Sequence, residues 1–183
     1  MRKVIIILII CIISTIRLQA ALVDDIHKAI AVGNLKKVKE IIKKNPKMLH
    51  RTDFMGRTPL YYAADYGQNK IAKYLLSKGA KVNTRTVYGG EKTPLLAAAE
   101  KGNVKMASLL ISKGANVNIK MKDGKTPLHL AAKKGKPKMV NFLIKKGASV
   151  NPRDKKGITP LGYAIMSGHK KTAELLIKLG ACK

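Results

Sequence analysis

The tripeptide Thr-Pro-Leu occurs four times in this chain, at Thr58-Pro59-Leu60, Thr93-Pro94-Leu95, Thr126-Pro127-Leu128 and Thr159-Pro160-Leu161, with spacings of 35, 33 and 33 residues. Each copy reads as a helix start. Threonine at an N-cap can accept a backbone N–H, and proline suits the next position, where its missing N–H has no intrahelical partner to lose and its fixed φ is already helical. Recurrence at this period predicts a stacked array of short units. Function in such an array belongs on an extended surface rather than in a catalytic pocket.

The residues after each start agree with it. The small pairs Ala63-Ala64, Ala98-Ala99 and Ala131-Ala132 allow neighbouring helices to approach closely. Gly67, Gly102, Gly135 and Gly168 stand where a left-handed residue would end the helix. A second amphipathic helix comes next, with apolar residues such as Ile71, Leu75 and Leu76, then Met106, Leu110 and Ile111, then Met139, Leu143 and Ile144 at helical spacing. That helix is predicted to end at Gly79-Ala80, Gly114-Ala115, Gly147-Ala148 and Gly180-Ala181. Val82-Asn83, Val117-Asn118 and Val150-Asn151 then lead into a loop or β-turn.

Residues 53–183, carrying these motifs, resemble the ankyrin repeat. A degenerate first copy is readable upstream, with Ile26 to Val32 as its first helix, Gly33-Asn34 as its turn and Leu35 to Lys44 as its second helix. The resemblance implies an all-α ankyrin-repeat solenoid of about five helix-turn-helix repeats joined by short β-turn or loop fingertips. Approximate repeat limits are 24–52, 53–85, 86–120, 121–153 and 154–183. His129 alone occupies the motif's histidine, which in the family supports loop hydrogen bonds; Tyr61, Leu96 and Gly162 replace it elsewhere. Two extra residues within Val87 to Lys92 are expected to lengthen the third fingertip without breaking the stack.

A different kind of text precedes the repeats. After Met1-Arg2-Lys3, residues 4–16 are apolar apart from Ser14 and Thr15. That run is shorter than the roughly 20 residues a spanning helix needs. It reads as a signal peptide over residues 1–20, cleaved near Ala20 or Ala21, with an uncleaved N-terminal anchor as the alternative. The expectation is export, periplasmic or secreted. Cleavage after Ala20 would leave Cys182 as the one cysteine, so no intrachain disulfide could brace the mature chain.

The formal charge is +27, with 37 Lys and Arg against ten Asp and Glu. Such a field attracts anionic partners. Only six of the cations are Arg, and it is arginine's planar fork that recognises phosphate and base edges bidentately. Specific nucleic-acid binding is therefore disfavoured, and a genome-wide lysine bias explains much of the same composition.

Ankyrin partners lie against the fingertips before Thr-Pro-Leu and against the groove-facing residues that end the first helix. Carrying these places over gives Phe54, Met55, Arg57 and Tyr66, then Tyr88, Lys92 and Lys101, then Lys122, Lys125, Lys133 and Lys134 as candidate partner-binding residues. Phe54, Met55, Tyr66 and Tyr88 are expected to lie near one another around the second and third fingertips, and aromatic groups ringed by charge make typical hot spots. The competing expectation is that Phe54 and Met55 pack against the first repeat while the tyrosines cover the turn.

No catalytic constellation is legible. His27, His50, His129 and His169 fall in different repeats without metal-ligand spacing, and Gly89-Gly90 lacks the strand and Gly-Lys-Ser/Thr ending of a phosphate loop. No metal, cofactor or enzymatic activity is read from the chain. The leading reading is an exported, monomeric scaffold binding an acidic protein through its fingertips and groove. The alternative is electrostatic adhesion to an anionic surface, whether membrane lipid, polysaccharide or nucleic acid.

Overall fold

The computed structural model describes residues 20–181. Residues 1–19 of the expected signal peptide, and the expected lone thiol of Cys182, lie outside the described residues. Among those described there are ten α-helices, one 3-10 turn and no strand. Residues 20–31 are helical (α1) and pair with α2, Leu35–Lys44, which is followed by a 3-10 turn, Pro46–Leu49. Four further pairs complete the array: α3 Pro59–Asp65 with α4 Asn69–Ser77, α5 Pro94–Lys101 with α6 Val104–Ser112, α7 Pro127–Lys133 with α8 Pro137–Lys145, and α9 Pro160–Met166 with α10 Lys170–Lys178.

Every Thr-Pro pair does open a helix, but the cap chemistry divides. Thr58 and Thr159 accept side-chain bonds from the backbone N–H groups of Tyr61 and Gly162, both at 3.2 Å. The Thr93 hydroxyl is buried without a partner. Thr126 lies 3.0 Å from His129 Nδ1 through its own hydroxyl, and its backbone N–H donates to that same nitrogen at 3.0 Å. At position 96, where the third repeat would hold this histidine, stands Leu96, which offers Thr93 no polar atom.

Helix ends share one recipe. Gly67, Gly102, Gly135 and Gly168 all take positive φ, and the next residue's N–H bonds back to Ala63, Ala98, Ala131 and Ala164 respectively. The same closure ends the second helices, where Ala80, Ala115, Ala148 and Ala181 donate to Leu75, Leu110, Leu143 and Leu176. Those four leucines are fully or almost fully buried, as are the alanine pairs of the first helices. Alanine on the facing surfaces brings the first helices close, and they touch more extensively than the second helices do. The first helices thus form a tight inner row and the second helices a looser outer row. Burial between consecutive units supplies cohesion at roughly 25 cal/mol per Å² of apolar surface.

The first repeat opens upstream of the helix start expected at Ile26. Its first helix includes residues 20–23, N-terminal of both Ile26 and position 24, because Leu22 and Val23 pack against the core and extend the stripe of Ile26 and Ile30. No described helix is long and apolar enough to cross a membrane.

Asparagine side chains stitch the turns together. Asn83, Asn118 and Asn151 each donate through Nδ2 to the carbonyl of the next unit's terminal glycine, Gly114, Gly147 and Gly180, at 3.1, 3.0 and 3.1 Å. The fingertips are stitched through their backbones, Val87 N–H to Met55 O at 2.9 Å, Lys122 N–H to Gly90 O at 3.1 Å and Lys155 N–H to Asp123 O at 3.0 Å. Each fingertip closes on itself as well, by Asp53 N–H to Arg57 O, Thr86 N–H to Lys92 O, Met121 N–H to Lys125 O and Asp154 N–H to Ile158 O. The third loop therefore spans two residues more than the others and places Glu91 at φ 58°. The insertion lengthens this fingertip and leaves its bonds to both neighbours intact.

Gly56 marks how closely the second and third fingertips meet. Its φ is +77°, and a Cβ there would lie 2.5 Å from the Val87 backbone nitrogen. Gly56→Ala is expected to cost about 1–3 kcal/mol, combining left-handed strain with a backbone clash. Urea unfolding measures it, and a loss below a few tenths of a kcal/mol would contradict this close approach.

Candidate partner-binding surface

Asp53 organises the second fingertip. Its Oδ1 accepts from the backbone N–H groups of Met55 and Arg57, both at 2.9 Å, and its Oδ2 accepts from Arg57 Nε at 2.7 Å and the Tyr62 hydroxyl at 2.9 Å. Burial alone would raise the carboxyl's pKa. The donated bonds outweigh it and hold the group below its ordinary range. The same burial and the Asp53 bond push the Tyr62 hydroxyl up to about 12. Arg57 is thus held by Asp53 and by the Tyr62 ring, whose centroid lies 4.7 Å from its guanidinium carbon.

With Asp53 binding the backbone just after it, the apolar side chains of this tip turn outward. Phe54 is 81% exposed and Val87 and Tyr88 are 68% and 60% exposed, while Met55 is half-buried. Both Val87 and Tyr88 donate backbone N–H to Met55 O, at 2.9 and 3.3 Å, so the two tips present one apolar patch. Phe54 therefore does not pack against the first repeat. Singly exposed apolar residues are ordinary on proteins, but adjacent ones on a stitched backbone form a binding-type surface.

Tyr66 has a different neighbour. It is 53% exposed and stacks on Tyr62, with centroids 6.1 Å apart and planes 3° apart. Tyr62 stacks in turn on His27 of α1 at 4.0 Å and 13°. The expected cluster of four thus divides into a fingertip patch and an aromatic ladder on the inner row. His27 is 5% exposed, and its Nε2 is buried without a hydrogen-bond partner. Burial, assisted by the Arg57 charge and opposed by Asp53 and Asp24, lowers its pKa to about 4.

The candidate cations are more often paired than free. Lys92 meets Glu100 at 2.6 Å, Lys134 meets the same carboxylate at 3.7 Å, and Lys101 lies 3.4 Å from Asp65. Lys125 meets Asp123 at 2.6 Å, and both Lys125 and Lys133 sit over the Tyr163 ring, 5.4 and 5.8 Å from its centroid. Asp65, Glu100, Lys101, Lys134 and Lys136 together line a polar hollow of about 320 Å³ on the inner row. Burial of Glu100 opposes its ionisation, but the Lys92 bond and the charges of Lys92, Lys134 and Lys101 outweigh it and keep its pKa low. Lys122 is exposed at the fourth tip, where its backbone is bonded and its ammonium has no carboxylate partner among the described residues. Counting cations along the sequence overstates the free charge of this face, because the few acids are spent on them in space.

His129 works as the motif implied. It is fully buried, with Nδ1 accepting from Thr126 N–H and its other nitrogen 3.0 Å from Ile158 O in the next fingertip. A proton on Nε2 satisfies both contacts. Burial lowers the ring's pKa and favours this neutral form. A profile described as ankyrin repeats (3 copies) matches residues 24–86 and 95–183. The chain belongs to the ankyrin-repeat family. Its ankyrin repeats are similar to myotrophin of Xenopus tropicalis (46% identity over 52 residues, 28% of this chain and 43% of that protein). They are also similar to human protein phosphatase 1 regulatory subunit 27 (42% over 55 residues, 30% and 35%) and to a transient receptor potential channel A member 1 homologue of Caenorhabditis elegans (39% over 64 residues, 35% and 5%). The chain thus spans less than half the length of the relatives it matches. Ankyrin repeats mark it as a protein-interaction scaffold.

Proposed function

We propose that this chain is an exported, non-enzymatic binding module that captures a protein partner on the patch of Phe54, Met55, Val87 and Tyr88. The observation carrying this reading is the outward placement of Phe54, Val87 and Tyr88, with half-buried Met55, on two fingertips whose backbones are bonded to each other. A rigid tip presents an aromatic group at low entropic cost, and such groups at the centre of an interface supply most of its energy. The unpaired ammonium of Lys122 and the overall positive field favour a partner with acidic residues around an apolar centre. Export rests on the basic start and apolar run before residue 17. The regulatory-subunit relative, by its name, serves another protein, which accords with a scaffold rather than a catalyst.

The test compares affinity capture by the wild-type chain, Phe54→Ser/Tyr88→Ser, and Lys122→Glu/Lys133→Glu, with retained proteins identified by mass. The serine variant is expected to lose at least about tenfold in retention of the partner, and the charge variant less. Helical content should be unchanged in both, since all four residues are exposed. Equal retention by the serine variant and wild type would reject the patch.

A further inference from the structure

The outer row carries a second recess, on a different set of elements from the fingertips. A cleft of about 580 Å³ opens between α2 and α4, within the range of roughly 300–1,000 Å³ common to small-molecule sites. Its floor is apolar, made by Ile42, Pro46, Leu49 and the Tyr74 ring. Its rim is cationic, made by Lys39, Lys43 and Lys78. The ammonium groups of Lys39 and Lys78 lie 5.7 and 5.9 Å from the same Tyr74 centroid, so they converge on one ring. None of the three pairs with a carboxylate among the described residues, although most candidate cations of the inner row do.

The first repeat meets the second, which supplies Tyr74 and Lys78, through a turn of its own. Later second helices end in Gly-Ala, whereas here Asn45-Pro46 diverts the chain into the 3-10 turn Pro46–Leu49, which supplies Pro46 and Leu49 to the cleft wall. Three like charges around an oily floor repel one another and leave apolar surface in water. Both costs fall together when one molecule brings a negative group to the rim and hydrocarbon to the floor. Inorganic anions satisfy only the rim, and a neutral lipid only the floor.

We propose that this cleft holds a free single-chain anionic amphiphile, its head among the three ammonium groups and its chain across the Tyr74 floor. The lysine stems lengthen the apolar wall while their charged ends stay at the water boundary. The ammonium groups hold the head by charge attraction, as point charges on flexible stems do.

Titration calorimetry of the whole chain with dodecanoate below its micelle concentration tests this, with dodecanol and acetate as probes of the floor and rim alone. Saturable dodecanoate binding is expected, with both partial probes at least about tenfold weaker. Lys39→Gln/Lys43→Gln/Lys78→Gln should weaken dodecanoate binding at least about tenfold, on the order of a few-fold per exposed charge. Lys105→Gln/Lys113→Gln/Lys145→Gln, of equal net charge and also surface-exposed, should stay within about threefold of wild type. Tyr74→Ala should weaken dodecanoate and leave acetate unchanged. Equal losses in the two triple variants, dodecanol binding as tight as dodecanoate, no saturable binding, or attachment confined to vesicles of anionic phospholipid would each overturn the proposal.

Discussion

His129→Ala is expected to destabilise the fold by about 3 kcal/mol, the largest effect of any polar substitution considered. The side chain is fully buried, and its two ring nitrogens join the Thr126 N–H of one repeat to the Ile158 carbonyl of the next. Truncation leaves a buried N–H without its acceptor, at about 1–3 kcal/mol, and adds a cavity where the ring stood. His129→Leu keeps most of the volume and isolates the polar part, so its expected cost is smaller, about 2 kcal/mol. Because the lost bond joins the fourth and fifth repeats, hydrogen-exchange protection should fall first in α9 and α10, which among the described residues pack against a neighbouring unit on one side only. A loss below about 1 kcal/mol, or an even loss of protection through α3 and α4, would contradict this role.

Mild acid is the second large perturbation. The folded chain holds the His27 pKa near 4, against an ordinary value of 6.5, so the unfolded chain takes up the proton first as pH falls. The contribution of neutral His27 is complete above about pH 6.5 and is lost progressively down to about pH 4. At 1.36 kcal/mol per unit this amounts to about 3 kcal/mol. His129 is shifted in the same direction by burial and adds to the loss. The groups facing His27 set the balance: burial beneath Tyr62 and the Arg57 charge resist protonation, while Asp53 and Asp24 favour it. Below the ordinary carboxylate range, Asp53, Asp154 and Glu100 contribute further, since each is held low in the folded state and its stabilisation vanishes on protonation. His27→Phe preserves a ring against Tyr62 and removes the titration. Thermal unfolding should therefore fall by about 10 °C in wild type between pH 7 and pH 4, and by clearly less in the variant. Identical pH profiles would show that His27 does not couple α1 to the second repeat.

The features legible in the sequence are those whose signal is local or repeated. Thr-Pro starts and terminal glycines act within one turn of helix, and the alanine pairs recur at the same place in three units, so the helices they mark form where they are expected; α1, which has no Thr-Pro start, begins upstream of Ile26. The histidine of the motif is also legible, because its Thr126 contact is three residues away. Long-range pairings are not. His27 meets Tyr62 across 35 residues, from a first repeat that lacks Thr-Pro-Leu, and nothing in either residue's own surroundings marks the pair. Val87 sits beside Tyr88 in the expected loop, yet its outward placement results from the backbone bond to Met55. The asparagines at 83, 118 and 151 read as loop entries, and their role as inter-repeat donors depends on a carbonyl about thirty residues on. Charge is the least legible, because counting residues along the chain says nothing about which ammonium Glu100 or Asp123 neutralises.

Capture by contact chemistry and capture by net charge respond differently to salt. The most direct measurement is retention of the captured partner by the wild-type chain as ionic strength rises from about 0.05 M to about 0.5 M, where the Debye length drops to a few ångströms. Retention falling only a few-fold is expected if Phe54, Met55, Val87 and Tyr88 hold the partner. Complete release over that range, with the Phe54→Ser/Tyr88→Ser variant releasing identically, would contradict it and leave a basic surface attracting anions without regard to shape.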